Sequence, residues 1–405
     1  MYNPLYFFTN FTHNAILKFN MHITLTETDL EDIQKKAPFK CCFNFFNIGL
    51  VLFSDKEDSF AAFKDVYKNF ICFSLPETYL TFYIMANSRF CDGPCLIHNS
   101  GFVAFLPEDG RVSGLAEQII FTRLIAMIDN YILIHAAVVS KEGAGYIIIA
   151  PSGFGKTTLV LELLSRGYKF LSDEFCLIRS SDFYIDAFPR RIGVKANSPF
   201  HNLINKEKAI YLEFERKYFI ECTDIVSEGY CSKCKPKNLI LLVGSIQDWA
   251  AKTSSGYYFD LMLLNQNQNL LDLLSQYPDV EMAYETLTQG YITYRFRSRY
   301  IKLLMTFYHD IWRRYENDIL GVAAIEDNKP DFTKPPEIKK MVKSEAMFEM
   351  LTHVINRAPD TKYFKKNDGK VSALLSTVAN FIKDINCYVM QPGRLSEMAD
   401  MIDSL

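Results

Sequence analysis

Ile147-Ile148-Ile149-Ala150-Pro151-Ser152-Gly153-Phe154-Gly155-Lys156-Thr157-Thr158-Leu159-Val160 reads as a buried strand, a glycine loop and the start of a helix. The loop follows the GxxxxGK[ST] spacing, with Ala150 in the first glycine position. Gly153 and Gly155 permit the curled backbone whose N–H groups point at phosphate oxygens. A helix beginning near Lys156 adds the positive end of its dipole. Lys156 can reach β- and γ-phosphates, and the Thr157 hydroxyl suits Mg²⁺. Ser152, Phe154 and Thr158 complete the predicted nucleotide-contacting set. The flanks agree with this reading. Tyr146 to Ala150 is a strand pattern, and Leu159, Val160, Leu163 and Leu164 share one helical face. Gly167 stands where a helix ends on a left-handed glycine.

Just downstream, Lys169 to Ser172 is a second predicted strand that delivers Asp173 and Glu174. Adjacent acids beside a phosphate loop suit phosphoryl transfer. One can hold Mg²⁺ and the other can take the proton of an attacking hydroxyl. A helix cap or a solvated turn would explain the same pair. Upstream, Tyr131 to Ile134 is a strand leading into His135, Ala136 and Ala137. A lone strand histidine is commonly a packed core residue. Its place ahead of the loop makes His135 a candidate for the site as well.

Together these segments resemble the HPr kinase/phosphorylase superfamily of P-loop kinases. The resemblance is carried by Leu133-Ile134-His135-Ala136-Ala137, by Ile149 to Leu159, by Leu161-Glu162-Leu163-Leu164, and by Arg166 to Glu174. Phe188-Pro189-Arg190-Arg191 to Lys195 is a fainter echo. The Ser172-Asp173-Glu174 ending is most similar to HPr-kinase-like proteins of peptide natural-product (lasso peptide type) gene clusters. The resemblance implies Asp173 as the base that takes the acceptor proton and Glu174 with Thr157 as Mg²⁺ ligands. It implies Lys156 as the phosphate clamp and His135 at the site. Arg190 or Arg191 would steady γ-phosphate charge or orient the acceptor; a solvated basic pair is the other reading. Tyr168 stands where the histidine after Arg-Gly is expected in true HPr kinases, which points away from HPr as acceptor.

The chain has 405 residues, 49% hydrophobic and 22% charged, with net charge −3. That composition is globular, and nothing global favours nucleic acid or an anionic membrane. Met1 to Asn10 lacks an export pattern, and no apolar run approaches a membrane span. The expected location is therefore cytoplasmic, with the ten cysteines reduced. Cys91 and Cys95 flank a turn and read as structural thiols. Cys222, Cys231 and Cys234 lie close in sequence, but a structural zinc needs a fourth ligand, so free thiols are the preferred reading.

The expected fold is α/β: an HPr-kinase-like P-loop core of mixed sheet and flanking helices, plus an N-terminal α+β domain and a small C-terminal helical module. The boundaries read as 1–115, 116–325, a Pro-rich linker at 326–337, and 338–405. Met21 to Thr28 reads as a strand, Glu57 to Phe70 as a helix, and residues 338–357 and 370–385 as two amphipathic helices. Arg295, Arg297 and Arg299 alternate on a strand that could face an acidic peptide or a nucleotide, or be solvated at a sheet edge. The predicted activity is transfer of the γ-phosphoryl group of ATP (or GTP), with Mg²⁺, to a hydroxyl, serine foremost, of a peptide or protein. A ribosomal natural-product precursor is one such acceptor. A small-molecule kinase and a nucleotide-dependent binding module that does not transfer are the alternatives, and the acceptor and oligomeric state stay open.

Overall fold

The computed structural model describes residues 20–90, 93–106, 115–151, 153–196, 198–212, 217–226, 229–254, 257–263, 268–288, 291–315, 319–323, 330–355 and 368–405. Met1 to Asn10, Cys91, Ser152 and the 326–329 part of the expected linker lie outside them. The chain divides into two units. One holds residues 130–188 and 229–405, and the other holds 20–129 and 189–226. Among the described residues no helix is long and apolar enough to cross a membrane.

The first unit is built on a nine-stranded mixed sheet. The phosphate-loop strand, Ala144–Ile149, is central. Antiparallel to it runs Ala137–Lys141, joined by a two-residue turn in which Glu142 and Gly143 both have positive φ, 54° and 79°. That geometry matches the twist of a tight hairpin, and Gly143 adopts it without strain. On its other side Lys233–Leu242 pairs in parallel, and Asn386–Gln391 pairs in parallel with that strand. Where they pair at the centre of the sheet these strands are apolar: Ile147, Ile149, Leu239, Leu241 and Val389 lie in one core with Met350, Val378 and Phe381. A four-stranded antiparallel sheet between residues 257 and 323 packs its own core of Leu261, Phe296, Phe307 and Ile311. Its strand Tyr291–Ser298 lies between two others. Arg297 there pairs with Glu281 at 2.6 Å, so this is not an edge strand.

Residues 338–405 are not an all-helical module. Helices do form at Lys343–Thr352 and Asp368–Ile382. The strands Glu337–Lys340 and Asn386–Gln391, however, complete the main sheet, and helix Leu395–Asp403 packs on the phosphate-loop helix. Cys387, Tyr388, Val389 and Met390 are a short apolar run that periodicity alone cannot tell from buried helix.

The second unit carries a six-stranded sheet in the order Asn20–His22, Phe102–Phe105, Cys95–His98, Tyr79–Met85, Ile48–Ser54, Phe39–Phe45. Its core is aromatic: Phe43, Phe45, Phe63, Tyr67, Phe70 and Phe121 meet ring to ring. The expected strand from Met21 to Thr28 stops at His22. Thr26 caps a helix, Glu27–Lys36, by a reciprocal bond pattern with Asp29. The expected helix from Glu57 to Phe70 is two 3₁₀ turns around a short helix, Ala61–Val66. The chain leaves this unit after Asp129, and residues 189–226 return to it as a three-stranded sheet before the chain passes back to the first unit.

Candidate active site

Two chain crossovers build the site. Tyr131–His135 pairs with Phe175–Arg179 in one branch of the sheet, with His135 opposite Phe175. Ala137–Lys141 pairs with Lys169–Ser172 in the other branch. The chain therefore changes branch at Ala136, and again at Asp173-Glu174. Ala136 is buried and small enough to sit at that corner. The Ser172 hydroxyl accepts from the N–H groups of Glu174 (3.1 Å) and Phe175 (2.9 Å), which fixes the turn bearing both acids. Asp173 is 6% exposed, and Glu174 is half-buried.

The phosphate loop meets the same corner. Gly153 and Gly155 have φ of 90° and 83°, the left-handed conformation such a loop requires. Gly155 is the N-cap of helix Lys156–Ser165 and has no side chain to close the first turn's N–H groups. Phe154 is buried, Thr157 and Thr158 are half-buried, and Leu159 to Leu161 with Leu163 and Leu164 bury the helix against the sheet.

Lys156 Nζ lies 2.8 Å from His135 Nε2, and His135 Nδ1 lies 3.1 Å from the Glu174 carbonyl. A carbonyl only accepts, so Nδ1 carries the proton and Nε2 accepts from the lysine ammonium. The backbone of His135 is fixed as well: its N–H donates to the His353 carbonyl at 2.9 Å. Ile355 N–H donates to the Leu133 carbonyl at 2.9 Å, so residues 353–355 extend the sheet alongside this strand. His353 itself is buried, and burial, reinforced by the Lys156 charge, holds its pKa down at about 3. Nothing in local sequence marked His353, because the helix Lys343–Thr352 that delivers it reads only as an amphipathic helix.

Arg190 and Arg191 lie in the second unit, and neither is a solvated surface cation. Arg190 is 3% exposed, set over the rings of Tyr67 and Phe219 and facing Glu117. Tyr67 Oη donates to the same Glu117. Arg191 is ion-paired with Glu221 at 2.9 Å and Asp65 at 3.1 Å. These carboxylates are far apart in sequence from the arginine pair, so no local pattern revealed them.

Tyr168 is an anchor of the fold. It is buried, its ring meets that of Tyr146, and its hydroxyl donates to Asp403 at 3.0 Å. Cys222 is buried in the second unit, whereas Cys231 and Cys234 belong to the first. Cys234 Sγ fills the space over Gly145, and burial pushes its thiol up to about 12. Among the described residues no three His, Cys, Asp or Glu side chains are grouped to hold a metal.

No protein-family model matches the chain. Curated proteins do. HPr kinase/phosphorylase 1 of Oceanobacillus iheyensis is 36% identical over 70 residues, which is 15% of this chain and 23% of that protein. The HPr kinase/phosphorylase of Bacillus cytotoxicus is 32% identical over 102 residues, 22% of this chain and 33% of its own length. Among solved structures, the Hpr(Ser) kinase/phosphatase of Coxiella burnetii aligns with 15% identity and a TM-score of 0.19, over 27% of this chain and 59% of that one. The chain thus spans about a quarter to a third of the curated relatives it matches. Over that length it is a distant homologue of HPr kinase/phosphorylases.

Proposed function

We propose that this protein is a kinase that transfers the γ-phosphoryl group of ATP or GTP to a hydroxyl of a peptide or protein. The carrying observation is the convergence of Lys156, His135 and the Asp173-Glu174 turn at one corner of the sheet, beside a loop with two left-handed glycines. The loop N–H groups and Lys156 hold the phosphates. Thr157 and Glu174 hold Mg²⁺, a cation that needs only one or two protein ligands and supplies charge neutralisation. Asp173 takes the proton as the acceptor oxygen bonds to the γ-phosphorus and the bond to the β,γ-bridging oxygen breaks, releasing the nucleoside diphosphate. His135 orients Lys156. Arg190 and Arg191 are left out of this mechanism, since Glu117, Asp65 and Glu221 engage them.

The HPr kinase/phosphorylase relatives support a protein acceptor. The Ser172-Asp173-Glu174 ending supports a precursor peptide in place of HPr. Intact-mass spectrometry after incubation with ATP and Mg²⁺ decides between them. A gain of about 80 Da on a peptide encoded beside the gene, absent with Lys156→Ala, establishes the peptide kinase. A gain on HPr alone assigns the acceptor to HPr. No gain on either, with ATP still bound, removes the proposal of a peptide or protein acceptor.

A further inference from the structure

A large apolar ring stands in water beside the phosphate loop. Phe332 is 44% exposed. Its Cε1 and Cζ lie 3.0 and 3.2 Å from the position a Cβ on Gly155 would take. The turn that carries it is held from several sides. The Asp331 carboxylate accepts from Thr333 N–H (3.1 Å) and Oγ1 (2.7 Å), and Lys334 N–H donates to the Asp331 carbonyl at 3.2 Å. Arg394 N–H donates to the Lys334 carbonyl at 2.8 Å. A side chain at Gly393 would meet that carbonyl at 2.3 Å, so only glycine lets the two segments pass this closely. Gly393 and Arg394 follow the strand Asn386–Gln391, the third of the three parallel strands that begin with the phosphate-loop strand. The turn is thus fastened at the carboxyl end of one parallel strand and reaches the loop at the end of another. Nucleotides in open α/β sheets bind outside those ends.

We propose that Phe332 is the stacking platform for the base of the nucleotide whose phosphates the Gly153–Thr158 segment holds. The inference rests on the phosphate-loop reading. A phenyl ring has no polar atom with which to serve a phosphate. The flat base is the part of a nucleotide that it can cover. Stacking uses the π-face that every base has, so Phe332 adds affinity without choosing between adenine and guanine.

The test uses the full chain as wild type, Phe332→Ala and Phe332→Trp, titrated with ATP, GTP and inorganic tripolyphosphate in the presence of Mg²⁺. Phe332 is exposed, so its truncation leaves the core intact. Phe332→Ala is expected to weaken ATP and GTP about tenfold and to leave tripolyphosphate unchanged. Phe332→Trp is expected to keep ATP binding and to show a fluorescence change with ATP, absent in wild type and absent with tripolyphosphate. Unchanged ATP affinity in Phe332→Ala places the base elsewhere and overturns the proposal. So does an equal loss for ATP and tripolyphosphate, which makes Phe332 a support of the loop, and so does a wild type that binds the two ligands equally. A wild type that binds neither overturns the phosphate-loop reading itself.

Discussion

Lys156 Nζ sits 2.8 Å from His135 Nε2, and that contact ties the phosphate loop to the corner that carries the acids. His135 is held at its N–H by the His353 carbonyl and at Nδ1 by the Glu174 carbonyl, so its ring is a fixed acceptor for the lysine. Removing either partner therefore has different consequences. Lys156→Ala is expected to lower nucleotide affinity by about a hundredfold or more, since the proposed charge-assisted phosphate contact would be lost. His135→Ala should leave affinity within a few-fold and reduce turnover about 10- to 100-fold, because the lysine loses only its orientation. Calorimetric titration with ATP beside steady-state turnover separates the two. Equal losses of affinity in both variants would show that the histidine binds phosphate directly.

Asp173 is buried at the crossover, whereas Glu174 is half-buried beside it. Asp173→Asn keeps the shape and removes the proposed base. Transfer should fall by roughly 10²–10⁴-fold with ATP affinity little changed. Glu174→Gln should instead raise the Mg²⁺ concentration needed for half-maximal rate. Single-turnover rates across a Mg²⁺ series measure both. If Asp173→Asn transfers at the wild-type rate, the proton goes elsewhere.

The conformation of the glycine loop was legible because its pattern is local: glycine, lysine, hydroxyl and apolar helix face follow one another in a single run. The corner was only half legible. His135, Asp173 and Glu174 could be named, but their meeting depends on two strands changing branch at the same level, which pairing decides. His353 and Phe332 were not legible. One arrives on a helix more than two hundred residues downstream, and the other on a Pro-flanked turn that reads as linker. The sheet membership of Asn386–Gln391 was missed for a related reason. A parallel strand has no hairpin to announce its partner.

Tyr168 and Asp403 join the phosphate-loop helix to the C-terminal helix. Asp403 also accepts from Lys141 at 2.7 Å and from Arg166 at 3.4 Å, and Arg166 reaches the Ser396 carbonyl at 2.9 Å. Tyr168 is buried, Lys141 and Arg166 are half-buried and Asp403 is exposed, and because they share partners the cluster is worth more than scattered surface pairs. Asp403→Ala should cost about 1–3 kcal/mol and Tyr168→Phe about 1 kcal/mol. Urea midpoints at constant slope report both. The double variant should lose less than the sum, because one bond is removed twice. Full additivity would show that the two residues do not share that bond energetically.

Each unit buries a histidine that resists protonation. In the second, His98 is 7% exposed against the ring of Phe82, its Nδ1 accepts from Ser100 N–H at 3.2 Å, and burial, with the Arg123 charge, holds its pKa at about 4 against 6.5. In the first, His353 is held at about 3. Between these values and 6.5 the unfolded chain binds protons that the folded chain refuses. Stability is therefore fully present above pH 6.5 and declines as pH falls towards 4. For His98 the shift corresponds to at most about 3 kcal/mol. His98→Asn offers an amide oxygen near the place of Nδ1 and does not titrate. Its urea midpoint should fall less steeply than wild type between pH 6.5 and 4.5, while carboxylates common to both proteins cancel in the comparison. Parallel curves for the two proteins would mean that the acid sensitivity of this unit comes from other groups.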